Sequence, residues 1–202
     1  LPTVQLFVEK AVSFVANHTI NIVCAGRTDA GVHATAQVVH FDTDVDRTES
    51  AWVFGSNSNL PHDITILWAK VVPVDFHARF SAVARKYRYV IYNHKVRPGI
   101  LRHAVGWYHR DLDVEKMQEA ANYLLGEHDF TSFRGSGCQA KGPVRNLQSL
   151  LIQRRGKMVV IEAQANAFLL HMVRNLVGVL LAIGCGSKPS DWSKKVLEAR
   201  DR

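Results

Sequence analysis

The chain has 202 residues, 47% of them apolar, and a formal net charge of +7. That length buries a sizeable core in one domain or two small lobes, and that composition excludes a disordered chain. The positive balance points to a polyanionic partner, although a solvated basic face has the same composition and charge alone does not separate RNA from DNA or from an acidic surface.

Val4, Phe7, Val8, Ala11, Val12 and Val15 recur at helical spacing, so the chain opens on an amphipathic helix. Residues 20–24 and 36–41 are rich in β-branched side chains and read as two strands flanking a polar loop. A short helix over 48–55 follows, and Pro61 closes the loop after it. Residues 64–72 and 84–92 read as strands, and Pro98-Gly99 marks a turn. Asp113 caps a helix carrying Val114, Met117, Ala120, Ala121, Leu124 and Leu125, which Gly126 ends. Residues 134–142 form a polar, flexible, basic loop, and 145–153 with 158–164 form a hairpin around Arg155-Gly156-Lys157. Residues 168–183 are a helix, and 190–199 another with Ser190 as its cap. Strands and helices mixed with hairpin connections indicate an α+β class with an antiparallel sheet. The longest apolar run, 168–185, is interrupted by His171, Arg174 and Asn175 and falls short of the roughly 18 unbroken residues of a membrane span.

Cys24, Cys138 and Cys185 are an odd count without C-x-x-C spacing, which disfavours a disulfide scaffold or a zinc site and fits a reducing compartment. No signal peptide is visible, although Leu1 is not an initiator residue. The ten histidines show no H-x-E or H-E-x-x-H arrangement with a cysteine pair, so a zinc deaminase is disfavoured. Gly135-Ser136-Gly137 lacks the Gly-Lys-Ser/Thr ending of a nucleotide-binding loop. His33, His40 and His171 read as structural or RNA-facing.

The most informative stretch is Cys24-Ala25-Gly26-Arg27-Thr28-Asp29-Ala30-Gly31-Val32-His33, which places an acid, an arginine and two glycines between two strands. A loop presenting Asp29 from strand ends is where catalytic groups are commonly held. On spacing alone, an aspartate before Ala-Gly is equally a turn former bonding its own backbone. Arg85, Tyr87 and Tyr89 alternate with Lys86 and Arg88 along one strand, a mixture that suits RNA, and also one that a core tyrosine on an amphipathic strand would show. Arg174 lies among Phe168, Leu169, Met172, Val173, Leu176, Val177, Val179 and Leu180. Buried there it would cost several kcal/mol without a carboxylate partner, for which Asp29 is the candidate; otherwise it reaches the surface.

The string Gly26-Arg27-Thr28-Asp29-Ala30-Gly31-Val32-His33 resembles the signature of the tRNA pseudouridine synthase A family. Asn59-Leu60-Pro61-His62-Asp63-Ile64, Phe76-His77-Ala78-Arg79-Phe80-Ser81-Ala82, Lys86-Tyr87-Arg88-Tyr89-Val90-Ile91-Tyr92, His128-Asp129-Phe130-Thr131-Ser132-Phe133 and residues 165–178 (ANAFLLHMVRNLVG) follow in the family's order. The resemblance implies a two-lobed α+β pseudouridine synthase fold with a mainly antiparallel sheet, helices packed on it and a central basic cleft, the lobes being 1–75 and 76–202. The family normally carries a further strand before the first helix and another beyond Arg202, so both terminal strands are expected to be missing.

The implied reaction isomerises uridines 38, 39 and 40 of the tRNA anticodon stem-loop to pseudouridine, with base flipping and with neither metal nor cofactor. Asp29 is then the catalytic carboxylate, as nucleophile or as stabiliser of a sugar cation. Arg174 pairs with it, Tyr87 packs on the target base and Arg27 holds the flipped state. As basic residues, Arg79, Arg85, Lys95, Arg97, Arg134 and Lys141 are the candidate backbone contacts, each a weak signal by itself. The resemblance also implies a cytoplasmic homodimer with tRNA lying across both subunits. Two rivals are a catalytically silent RNA-binding module on this fold and a hydrolase using Asp29 as nucleophile. The hydrolase would want a second carboxylate as acid or base, and none stands out beside Asp29.

Overall fold

The computed structural model describes residues 2–201. The chain divides into two compact units, Leu1–Ala82 and Val83–Arg202, each with its own apolar cluster. The expected α+β class with mainly antiparallel pairing is what the molecule has.

In the first unit, α1 (Val4–Ala16) starts where the Thr3 hydroxyl accepts the Leu6 N–H and stops at Asn17, whose φ of 57° ends the helix in the left-handed region. Its buried residues Val8, Ala11, Val12 and Ala16 keep the 3–4 spacing of one helical face. Val8, Val12 and Ala16 pack with Ile20 and Ile22 and with Val39, Phe41, Trp52, Leu60, Ile64 and Ile66. β1 (Val23–Cys24) pairs antiparallel with β2 (Val39–His40), and α2 (Glu49–Asn57) is capped by Thr48.

Both flanking strands are shorter than their sequence predicts. Residues 20 and 22 give their N–H groups to α1 side chains instead of a neighbouring strand: Ile20 to Ser13 Oγ at 2.8 Å and Ile22 to Glu9 Oε1 at 3.2 Å. The strand expected over 64–72 is also absent. Asn57 grips Ile66 at both backbone groups, accepting its N–H at 2.8 Å and donating to its carbonyl at 2.9 Å. Ile64 and Ile66 face the core while Leu67 and Trp68 stay exposed, so the segment is extended without a ladder.

The second unit is built on a five-stranded sheet ordered β4-β3-β7-β6-β5. Its strands are β3 (Arg85–Asn93), β4 (Gly106–Tyr108), β5 (Gly126–Asp129), β6 (Val144–Arg155) and β7 (Met158–Ala165). The hairpin β6–β7 turns at Gly156, whose φ of 59° suits a residue without a side chain. β7 alternates strictly, with Val159, Ile161, Ala163 and Ala165 buried. Helices α3 (Val114–Asn122), α4 (Met172–Gly184) and α5 (Trp192–Ala199) share its core. Met117, Leu124, Phe130, Phe133, Leu147, Leu176, Leu180 and Ile183 are fully buried there, each contributing about 1.5–3 kcal/mol of apolar burial. α3 begins at Asp113 as expected, with its carboxylate accepting the Lys116 N–H at 3.0 Å.

Four expectations need correction in this unit. The helix predicted over 168–183 begins only at Met172, because His171 takes φ 58° and the Leu170 carbonyl accepts the Gly135 N–H at 2.6 Å. Ser190 does not cap the last helix; its hydroxyl donates to Glu119 Oε2 at 2.8 Å, and Asp191 occupies the cap position. Gly126 opens β5 with φ 99° rather than closing α3, which ends four residues earlier. The 134–142 loop is not a loose one: Arg134 Nη2 donates to the carbonyls of Cys138 and Ala140 at 2.7 and 2.8 Å, and Arg145 Nη1 donates to Gly142 at 3.0 Å. The parallel β3–β4 pair, Ile91 opposite Gly106, has no counterpart in the sequence reading.

Candidate functional site

In the first unit the signature loop is closed twice at its base. The Ala25 N–H donates to the Val38 carbonyl at 2.9 Å, and Gln37 Nε2 donates to the Gly26 carbonyl at 2.6 Å. At its far end the Val32 N–H donates to the Asp29 carbonyl at 3.1 Å, forming a β-turn with Gly31 third at φ 81°. That conformation is open to glycine and costly for most other residues. Asp29 is half-buried at the first position of the turn, and Arg27 is exposed two residues before it. The turn-former reading and the presented-carboxylate reading are therefore compatible: the backbone of Asp29 makes the turn and its side chain is carried by it.

Arg79 lies on a second, compact turn of the same unit. The Ala78 N–H donates to His40 Nδ1 at 3.1 Å, which ties this turn to β2, the strand that leaves the signature loop. Arg79 is exposed, with its guanidinium carbon 5.7 Å from the centre of the Phe80 ring.

In the second unit, β3 sorts its basic and aromatic residues as alternation predicts. Arg85, Tyr87 and Tyr89 are half-buried, whereas Lys86 and Arg88 are exposed. Lys86 Nζ lies 3.0 Å from Glu162 Oε2, and Arg88 Nε donates to Glu162 Oε1 at 2.6 Å across the β3–β7 pair. Hydrogen bonds from Lys86 and Arg88 hold the Glu162 carboxyl below the usual carboxylate range. Both cations stay exposed beside Glu162, and the other face of β3 carries Arg85, Tyr87 and Tyr89. On that face Tyr87 meets Phe168 edge to face at 5.1 Å, and Arg85 Nη1 donates to the Asn166 carbonyl at 2.9 Å. Asn166 and Phe168 belong to the connection between β7 and α4; the sequence reading places Phe168 in a helix and so misses this contribution.

Arg174 is in the first turn of α4 and is exposed. Of the two alternatives for Arg174, burial among its apolar neighbours or reach to the surface, the second is the one observed. The buried side of α4 is Met172, Leu176, Val177, Leu180 and Ile183, while His171, Arg174 and Gly178 line its exposed side. Lys95 is exposed in the bend after β3, Lys141 is exposed in the loop before β6, and Arg134 is half-buried beneath that loop.

Two thiols of the second unit are perturbed. Burial pushes the Cys185 thiol up, but hydrogen bonds from Ser187 and Tyr108 and the charge of Arg110 outweigh it and bring the thiol to about 7. Its Sγ lies 3.1 Å from Ser187 Oγ, to which Arg110 also donates at 3.1 Å. Burial likewise raises Cys138, and backbone N–H groups of Leu170 and Ala140 with the Arg134 guanidinium bring it below its ordinary value. Among the described residues no group of His, Cys, Asp or Glu is arranged to hold a metal ion, and no helix is long and apolar enough to cross a membrane.

A family profile described as tRNA pseudouridine synthase matches residues 2–81 and 120–202. The chain is 64% identical over 202 residues to the tRNA pseudouridine synthase A of Coxiella burnetii, covering 100% of this chain and 77% of that protein. It is 60% identical over 200 residues to the protein of the same name from Alcanivorax borkumensis, covering 99% and 75% of the two chains. The counterpart in Pseudomonas aeruginosa is 55% identical over 202 residues, covering 100% of this chain and 71% of the relative.

Proposed function

For this chain, which belongs to the tRNA pseudouridine synthase family, we propose isomerisation of uridine to pseudouridine at positions 38, 39 and 40 of the tRNA anticodon stem-loop. The observation that carries this reading is the signature loop, closed by two hydrogen bonds at its base and by the Gly31 turn at its tip, with Asp29 on that turn. A carboxylate held this way loses little freedom on meeting a substrate, which favours attack over diffusion.

Asp29 is the group that assists glycosidic cleavage, as nucleophile or as stabiliser of positive charge on the ribose. The base must leave the stack before it can react. Arg27 holds the extruded state and Tyr87 packs on the released uracil, its ring already oriented by Phe168. Arg174 pairs with the Asp29 carboxylate. Arg79, Arg85, Lys95, Arg134 and Lys141 follow the phosphates, in keeping with the net charge of +7. The isomerisation moves one bond from nitrogen to carbon with no net oxidation, so the residues named here suffice without a cofactor. The active species is a cytoplasmic homodimer with tRNA across both subunits.

Incubation with an unmodified tRNA transcript, followed by carbodiimide-dependent reverse-transcription mapping, tests the reading. Stops at positions 38–40 are expected. Release of free uracil would instead identify a hydrolase, and tight binding without stops a silent RNA-binding module.

A further inference from the structure

Phe80 is 77% exposed, yet its backbone N–H is held inside a closed turn. The Arg79 and Phe80 N–H groups both donate to His77 Nδ1 at 3.2 Å, and the Ala78 N–H donates to His40 Nδ1 at 3.1 Å. Three successive backbone donors thus end on two imidazole nitrogens. Both nitrogens act as acceptors, so both rings carry their proton on Nε2. His77 closes the turn further, accepting the Ser81 N–H at 2.8 Å through its carbonyl and donating its own N–H to Ser81 Oγ at 3.0 Å.

The rings are stacked as well. His77 covers one face of Phe80 with centroids 4.2 Å apart and planes at 27°, and His40 lies 4.8 Å from His77. A single exposed phenylalanine needs no explanation by itself. A phenyl ring held outward by a histidine stack, with the Arg79 guanidinium 5.7 Å from its centre, is the pairing of π-face and cation that unstacked nucleobases and their phosphates bind.

We propose that Phe80 is a base-stacking residue: an unpaired RNA base stacks on the exposed part of its ring, and the Arg79 guanidinium, which lies over that ring in the free chain, turns to an adjacent phosphate. His40 and His77 are positioning residues that hold this platform. The proposal rests on the tRNA-modifying reading above and adds to it a contact separate from Asp29 and Tyr87. A protein partner is the less fitting occupant, because the platform carries a cation on a chain of net charge +7.

The test is a fluorescence titration of the full chain with an anticodon stem-loop transcript carrying 2-aminopurine in its loop. Wild type should quench the probe. Phe80→Ala should weaken binding about tenfold and remove part of the quench, whereas Phe80→Trp should keep both. His77→Ala should follow Phe80→Ala, and His77→Asn, whose side-chain oxygen still accepts an N–H, should restore most of the binding. Wild-type affinity and quenching in Phe80→Ala would overturn the proposal. A changed sedimentation coefficient without an RNA effect would also overturn it, in favour of a contact between copies of the chain. Pseudouridine is measured on the same preparations. Phe80-dependent binding without any product supports the platform and removes the enzymatic reading, and absence of RNA binding by wild type overturns both.

Discussion

Tyr87 meets Phe168 edge to face, with ring centroids 5.1 Å apart and planes at 89°. Phe168 is supplied by the segment after β7, where Asn166 Oδ1 accepts the N–H groups of Asn146 and Ala167 at 3.0 and 2.8 Å. The orientation of a strand residue is thus fixed by a connection anchored elsewhere in the sheet. Replacing Phe168 by Leu removes the edge-to-face contact, worth about 0.5–1.5 kcal/mol beyond its buried area. Thermal melting should register a loss of about that size. Single-turnover kinetics should show a slower chemical step with tRNA affinity within a few fold of wild type.

Asp29→Asn keeps the side chain's shape and removes its charge. Pseudouridine formation should disappear while tRNA binding stays within a few fold, as measured by rate assays beside filter binding. Substantial residual turnover would show that the carboxylate is not the catalytic group.

Gly31 is the position where the signature loop is most sensitive to a methyl group. A Cβ there meets nothing within 4 Å, so the whole cost of Gly31→Ala comes from φ 81°. That cost is about 1–2 kcal/mol, read from the denaturation midpoint, and activity should fall with it as the turn shifts Asp29. Gly31→Asn should be milder on both measures, because asparagine enters the left-handed region more readily.

Arg174→Met should abolish activity with little effect on stability. The residue is exposed, so a change within about 0.5 kcal/mol is expected in the denaturation midpoint, where removal of a buried ion-pair partner would cost about 3–5 kcal/mol. A fully active Arg174→Met enzyme would remove the residue from the reaction.

Cys185 should titrate near neutrality. Its thiol is held at about 7 in the folded chain against 9.0 ordinarily, a depressed value. The stabilising contribution of the thiolate is therefore fully present above 9.0 and is lost as pH falls through about 7. Alkylation of Cys185 by iodoacetamide, followed by peptide mass spectrometry, should rise through that same range and then level off. Ser187→Ala should move the midpoint upward.

Much of this molecule is legible one segment at a time. The buried face of α1, the aspartate cap of α3 and the β6–β7 hairpin around Gly156 follow from contacts three or four residues apart, or from a turn that closes on itself. The signature loop is of the same kind, since a glycine two residues after Asp29 is where its turn needs a positive φ. Other features depend on partners far away in the chain. Residues 20–22 and 64–72 have the composition of strands, but side chains of Glu9, Ser13 and Asn57 take backbone groups a ladder would have used. Apolar neighbours suggest a buried Arg174, yet it is exposed because α4 turns a different side to the core and begins only after His171. Strand alternation puts Lys86 and Arg88 on one face, but only the register of β3 against β7 sets Glu162 beside them. Composition and periodicity determine what each segment is able to form; which of its polar groups remain available is decided by the tertiary structure, because every buried donor and acceptor must be satisfied by whatever the fold brings to it.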